Sequence, residues 1–175
     1  MNKFKGTGVA LVTPFNNDFS VDYLALERLL VSIIDGGVDY IVLLGTTGES
    51  AVLSKEEKKN IISFCVDFNK GRLPIIVGIG GNNTLSVLEE IKDTDFNNVD
   101  AILSVSPYYN KPTQEGIYQH YKMISDVSPV PIIIYNVPSR TSSNINCETT
   151  LRLAKDIDNI IAIKEASGDL DQVMS

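Results

Sequence analysis

The feature that most constrains this chain is a recurrence. Short, almost unbroken apolar runs return about every 30 residues, at 8–13, 40–44, 74–78, 101–105, 131–135 and from 160 into Lys164. Runs this apolar suit strands covered on both faces, the situation of a parallel sheet. Between them lie segments of helical periodicity, at 22–35, 55–68, 84–93, 113–127 and 146–156, with another opening at 169. Ser20 is the expected N-cap of the first helix and Gly36-Gly37 its stop. Ser54 and Glu57 have the spacing of a capping box, and Thr113 is the expected cap of the fourth helix. Strand and helix alternate without a linker, a low-complexity segment or a clear internal sequence repeat. Residues 1–175 therefore read as a single α/β domain.

Two α/β folds compete. An open, doubly wound sheet accommodates six strands in 175 residues, whereas a (β/α)₈ barrel needs eight strands and typically about 250 residues. Length favours the open sheet. The unusual residues favour the barrel, because they follow the second, fourth, fifth and sixth strands: Thr46-Thr47, Tyr108-Tyr109, Tyr135 through Arg140, and Lys164. A barrel gathers all its carboxyl ends around one site, while an open sheet shares only those beside its switch point.

Composition narrows the function classes. A net charge of −7 gives no nucleic-acid footprint. No apolar stretch approaches the roughly 20 residues that span a bilayer, and the N-terminus lacks the apolar region of a signal peptide. Cys65 and Cys147, far apart and without a targeting signal, suggest reduced, buried thiols in a cytoplasmic protein. His120 is the only histidine. It argues against a His-rich metal site and sits where a structural role is expected.

Lys164 closes an apolar run, in Ile163-Lys164-Glu165-Ala166-Ser167-Gly168. Burying an ammonium ion is costly, so such a lysine is either an edge residue whose head reaches water or a desolvated amine kept for nucleophilic work. Ala162, two residues earlier on the same face, leaves room beside it. Gly45-Thr46-Thr47-Gly48-Glu49 is a strand–helix turn able to aim amides at an anion, although it lacks the lysine of a P-loop. Tyr135 ends the fifth strand, and Arg140 carries a fork suited to a carboxylate. Gly78-Ile79-Gly80-Gly81-Asn82-Asn83 lacks the third glycine of a dinucleotide loop. A strand-end amine, phenols and hydroxyls to move protons, and amides to hold a carboxylate together describe Schiff-base chemistry on an α-keto acid.

Four segments carry a specific resemblance: Gly45-Thr46-Thr47-Gly48-Glu49-Ser50, Pro107-Tyr108-Tyr109-Asn110-Lys111-Pro112, Tyr135-Asn136-Val137-Pro138-Ser139-Arg140-Thr141 and the Lys164 motif. In this order they resemble the dihydrodipicolinate synthase family of pyruvate-dependent class I aldolases. The resemblance implies a (β/α)₈ barrel that condenses pyruvate with aspartate semialdehyde on the diaminopimelate route to lysine. It implies Lys164 as the imine-forming residue and Tyr135 as general acid/base. Thr47 and Tyr109 would complete a proton relay, Tyr109 reaching in from a neighbouring subunit of a homotetramer. Thr46 and Thr47 would bind the pyruvate carboxylate and Arg140 that of the semialdehyde. No metal or organic cofactor is implied. Related aldolases that cleave N-acetylneuraminate or keto-deoxy sugar acids share the lysine and tyrosine. They typically differ at the positions of Thr47 and Arg140.

Two departures from the family pattern generate expectations. The family's chains run to nearly 300 residues, so 175 residues hold only about the first six βα units. A piece of that kind is expected to fold poorly or to be inactive alone, or to be a barrel fragment without activity. Many family members bind lysine as a feedback inhibitor near the subunit interface. Ser50, Ala51, Asn82 and Tyr108 match that effector site, but Lys55, Lys58 and Ser86 replace its other groups. Added cations disfavour a cationic effector, so lysine inhibition is expected to be weak or absent.

Overall fold

The computed structural model describes residues 2–174. The chain packs as two compact units, one running to Gly78 together with Asp95–Asp100, the other Ile79–Thr94 together with Ala101 onward.

The first unit contains β1 (Gly8–Ala10), α1 (Tyr23–Asp35), β2 (Tyr40–Leu43), α2 (Lys55–Asn69) and β3 (Ile75–Gly78). The strands pair in parallel and in sequence order, with Val9 beside Ile41 and Ile41 beside Ile75. Ile41, Ile75 and Val77 are fully buried, as expected of strands covered on both faces. β1 is shorter than the apolar run suggested. After Ala10 only the amide of Leu11 still reaches β2, at Val42 O, and Thr13 turns its hydroxyl to Gly48 O instead.

The cap of α1 is Asp22, not Ser20. The Asp22 carboxylate accepts from Ala25 N at 2.8 Å, where it also meets the positive end of the helix dipole. Ser20 is occupied in the preceding turn, donating to Asp18 and bonded by Asn16. The stop at Gly36-Gly37 holds: Gly37, at φ +75°, takes the chain out of the helix. α2 opens on the expected capping box, Ser54 Oγ accepting from Glu57 N and Glu57 Oε2 from Ser54 N.

The second unit contains α3 (Thr84–Asp93), β4 (Ala101–Val105), α4 (Gln114–Val127), β5 (Ile132–Asn136), α5 (Pro138–Thr141), α6 (Cys147–Asp156), β6 (Ile160–Glu165) and α7 (Leu170–Met174). Its strands are again parallel and in order, with Leu103 beside Ile133 and Ile134 beside Ile163. The β5–β6 ladder shifts register once, between Ile132 and Ile133. Pro138 starts a four-residue helix directly after β5, because proline at the first helical position loses no hydrogen bond.

The thiols differ from expectation in one respect. Cys65 is buried, and burial pushes it up to about 12, whereas Cys147 is only half-buried at the start of α6. His120 is 2% exposed, its Nδ1 lying 2.9 Å from Thr84 Oγ1, and it serves the α3–α4 packing. Burial pulls its pKa down to about 4. The unfolded histidine titrates near 6.5, so between these values the unfolded chain holds the extra proton. Stability is therefore full above about pH 6.5 and falls as pH drops towards 4, by up to about 3 kcal/mol from this residue. Urea unfolding across that window should show a steeper pH dependence for the wild type than for His120→Gln. Parallel curves would contradict a buried neutral imidazole.

Candidate active site

The parallel ladder of β5 and β6 sets Tyr135 beside Lys164 and Asn136 beside Glu165. Because side chains alternate along a strand, Tyr135 and Lys164 share one face and Asn136 and Glu165 the other. On the first face Lys164 Nζ lies 4.5 Å from the centre of the Tyr135 ring. At an exposed site such a cation–π contact contributes about 0.5–1 kcal/mol, enough to orient the amine but not to hold two strands in register. Tyr135 is buried, while Lys164 is exposed and so is Ala162 on the same face of β6. With Lys164 exposed, the described residues do not supply the desolvation that a nucleophilic amine requires.

The opposite face holds a polar network that the sequence reading passed over. Asn136 is fully buried. Its Nδ2 donates to both carboxylate oxygens of Glu165 at 3.0 Å and to Asn144 Oδ1 at 2.8 Å, and its Oδ1 accepts from Ile145 N. Glu165 also accepts from Ser167 N and from Gln172 Nε2, each at 2.8 Å. Burial pushes the Glu165 carboxyl up, but hydrogen bonds from Asn136, Gln172 and Ser167 outweigh it and leave the pKa below its ordinary value. The available signal was alternation: the neighbours of two strand-end site residues must face the other way.

In the first unit, Thr46 and Thr47 lie in a 3₁₀ turn, Thr46–Gly48, directly after β2, and both are exposed. A second such turn, Ser50–Val52, precedes α2, so β2 and α2 are joined through two tight turns, with Ser50 half-buried and Ala51 exposed. The backbone is strained on both sides: Leu44 and Glu49 adopt left-handed φ of 55° and 53°. The turn of Leu44 brings its carbonyl so close to β3 that a Cβ on Gly78 would lie 2.3 Å from Leu44 O. This explains Gly78 by packing, in agreement with the rejection of a dinucleotide loop.

Tyr108 and Tyr109 project from the loop after β4, Tyr109 with 86% of its surface exposed and at φ +70°. Asn110 ties this loop down, donating from its side chain to Asn82 O at 2.9 Å and from its amide to Tyr108 O at 2.8 Å. Asn82 is half-buried. Arg140 stands exposed on α5 and forms no ion pair among the described residues. Lys55 and Ser86 are exposed and Lys58 is half-buried. The second unit thus brings Tyr135 and Lys164 together, with Arg140 on the short helix after β5. Thr46, Thr47, Ser50 and Ala51 belong to the first.

A family model, the dihydrodipicolinate synthetase family, matches residues 3–175. The chain belongs to that family. It is 63% identical over 174 residues to the 4-hydroxy-tetrahydrodipicolinate synthase of Flavobacterium psychrophilum, covering 99% of this chain and 59% of the relative. It is 57% identical over 169 residues to the enzyme of the same name from Parabacteroides distasonis, covering 97% and 57%. Among solved structures, dihydrodipicolinate synthase from Thermotoga maritima superposes with a TM-score of 0.95 at 43% identity, over 98% of this chain and 58% of that one. The chain thus spans a little under three fifths of the length of these family members. Its fold is the barrel class of the family, of which the six βα units described above are present.

Within this family member, the strained loop that carries Thr46 and Thr47 depends on the gap at residue 78. Gly78→Ala should destabilise the protein by about 1–3 kcal/mol, since the clashing partner is backbone and not a movable side chain. A urea midpoint unchanged from wild type would contradict the close approach of Leu44.

Proposed function

We propose that residues 1–175 belong to one catalytic barrel domain of a 4-hydroxy-tetrahydrodipicolinate synthase, a lyase of the class I aldolase type. Its substrates are pyruvate and L-aspartate 4-semialdehyde. The observation that carries this reading is the amine of Lys164 laid over the ring of Tyr135 on paired strand ends, in a chain of this family.

Lys164 attacks the keto carbon of pyruvate, and loss of water from the carbinolamine gives an imine. The amine reacts only as the free base, so closure of the site around pyruvate is part of the proposal. Tyr135 delivers and removes protons at this stage, with Thr47 and Tyr109 as the relay and Tyr109 drawn from a neighbouring subunit. Thr46 and Thr47 hold the pyruvate carboxylate. The protonated imine acts as the electron sink that makes the methyl carbon acidic, and the resulting enamine adds to the aldehyde. Arg140 holds the semialdehyde's carboxylate through its planar fork. The amino group of the second substrate then closes the ring and frees Lys164. In this scheme the lysine does the work of a cofactor, and neither a metal nor an organic cofactor takes part. A cytoplasmic homotetramer, a dimer of dimers, is the proposed assembly, with Tyr108 and Tyr109 at the subunit contact. Ser50, Ala51, Asn82 and Tyr108 are the proposed remnant of an effector site, weakened by Lys55 and Lys58.

Borohydride reduction of the whole protein in pyruvate should fix one pyruvate-derived adduct on Lys164. Lys164→Ala should give none and lower turnover by about a thousandfold or more, and Tyr135→Phe should lower it by about a hundredfold or more. Ring formation with aspartate semialdehyde then separates this activity from cleavage of a keto-deoxy sugar acid. An adduct on another lysine, or aldol cleavage of sugar acids without ring formation, would overturn the assignment. L-Lysine at about millimolar concentration should leave the rate nearly unchanged; strong inhibition would contradict the proposed role of Lys55 and Lys58.

A further inference from the structure

We propose that Glu165 is a positioning residue: by clamping Asn136 on the far face of the β5–β6 pair, it fixes the register that lays Lys164 against Tyr135. The inference rests on the reading of Lys164 as the imine-forming residue.

Three observations converge on it. First, the β5–β6 ladder is irregular at its start, with a register shift between Ile132 and Ile133. A ladder that shifts once does not specify its own far end, and a slip of one residue would turn Lys164 to the opposite face. Second, the far end is pinned by side chains. Asn136 and Glu165 are cross-strand partners, and both carboxylate oxygens of Glu165 accept from the one Asn136 amide group. The backbone continues the clamp, Ala166 N donating to Asn136 O at 2.8 Å. Third, both members are held from outside the strands. Asn144 and Gln172 bond each other and reach Asn136 and Glu165 respectively, while Gln114 on α4 donates to Asn144 O. The clamp is therefore anchored to α4, to the segment before α6, and to α7.

Glu165 suits this task as an acceptor-only group. Asn136, Ser167 and Gln172 all meet it as N–H donors. A glutamine there keeps one acceptor oxygen and turns an NH₂ group towards donors. Since Tyr135 and Lys164 each immediately precede a clamped residue, a loosened clamp moves the amine relative to the phenol. The threonines proposed to hold the pyruvate carboxylate are not among the clamp's hydrogen-bond partners.

The test compares the rate of borohydride-trapped adduct formation, as a function of pyruvate concentration, in the wild type, Glu165→Gln and the swap Asn136→Asp with Glu165→Gln. Amide hydrogen exchange at Ala166 and Ser167 is followed in the same proteins. In Glu165→Gln the limiting rate should fall by about tenfold to a hundredfold, while half-saturating pyruvate changes by less than about twofold. Exchange at both amides should quicken. The swap restores a donor facing an acceptor and should recover most of the rate, which also serves if the single variant folds poorly. Trapping by Glu165→Gln at the wild-type rate, a loss confined to half-saturation, or a swap no better than the single variant would each overturn the proposal. If the wild type itself forms no adduct, the functional reading fails instead. The exchange data then still decide the clamp, and unchanged exchange in Glu165→Gln overturns it.

Discussion

The constraint on which the site depends is the parallel pairing of β5 with β6. It sets Tyr135 beside Lys164 with no help from the residues' own chemistry, because the cation–π contact between them is too weak to impose a strand register. Burial fixes β5, whose residues from Ile132 to Asn136 are all buried. β6 is different: only Ile160 is buried, and its other residues are half-buried or exposed in alternation. An apolar core therefore positions one partner of the pair, and hydrogen bonds at the strand end position the other.

The two units solve their local problems differently. After β2 the chain is forced through left-handed backbone at Leu44, and the space for that kink comes from the missing side chain of Gly78. The cost is conformational strain, stored beside the two threonines. After β5 the chain also passes one left-handed residue, Ser142 at φ 54°, but the strand ends themselves are tied by side chains: Asn136, Asn144, Glu165 and Gln172 hydrogen-bond one another. Strained backbone recurs beside sites of chemistry because the surrounding packing over-determines it, and a satisfied polar cluster adds directional contacts that apolar packing alone does not supply.

Much of the fold was legible because it rests on local patterns. The six apolar runs all contain strands, and the capping box of α2 follows from the spacing of Ser54 and Glu57 alone. Where two acceptors compete within a few residues, spacing does not decide. Ser20 and Asp22 both suit a cap, and the winner is the one whose side chain the preceding turn leaves unused. At the site, residue type and strand position picked out Lys164 and Tyr135, and the β5–β6 ladder brings them together. The partners of Glu165 were not legible, because Asn136 is 29 residues away and is joined to it by topology, not by periodicity. Nor does sequence reveal how far a strand lysine is shielded, since that depends on everything packed over it.

The most direct measurement is a crystal structure of the whole protein soaked with pyruvate. Continuous density should join Lys164 Nζ to the keto carbon, with the hydroxyl of Tyr135 within hydrogen-bonding distance of the new linkage and Glu165 still bonded to Asn136. Pyruvate bound without a covalent bond, or Lys164 turned away from Tyr135 with the β5–β6 register changed, would contradict the role assigned to this strand pair.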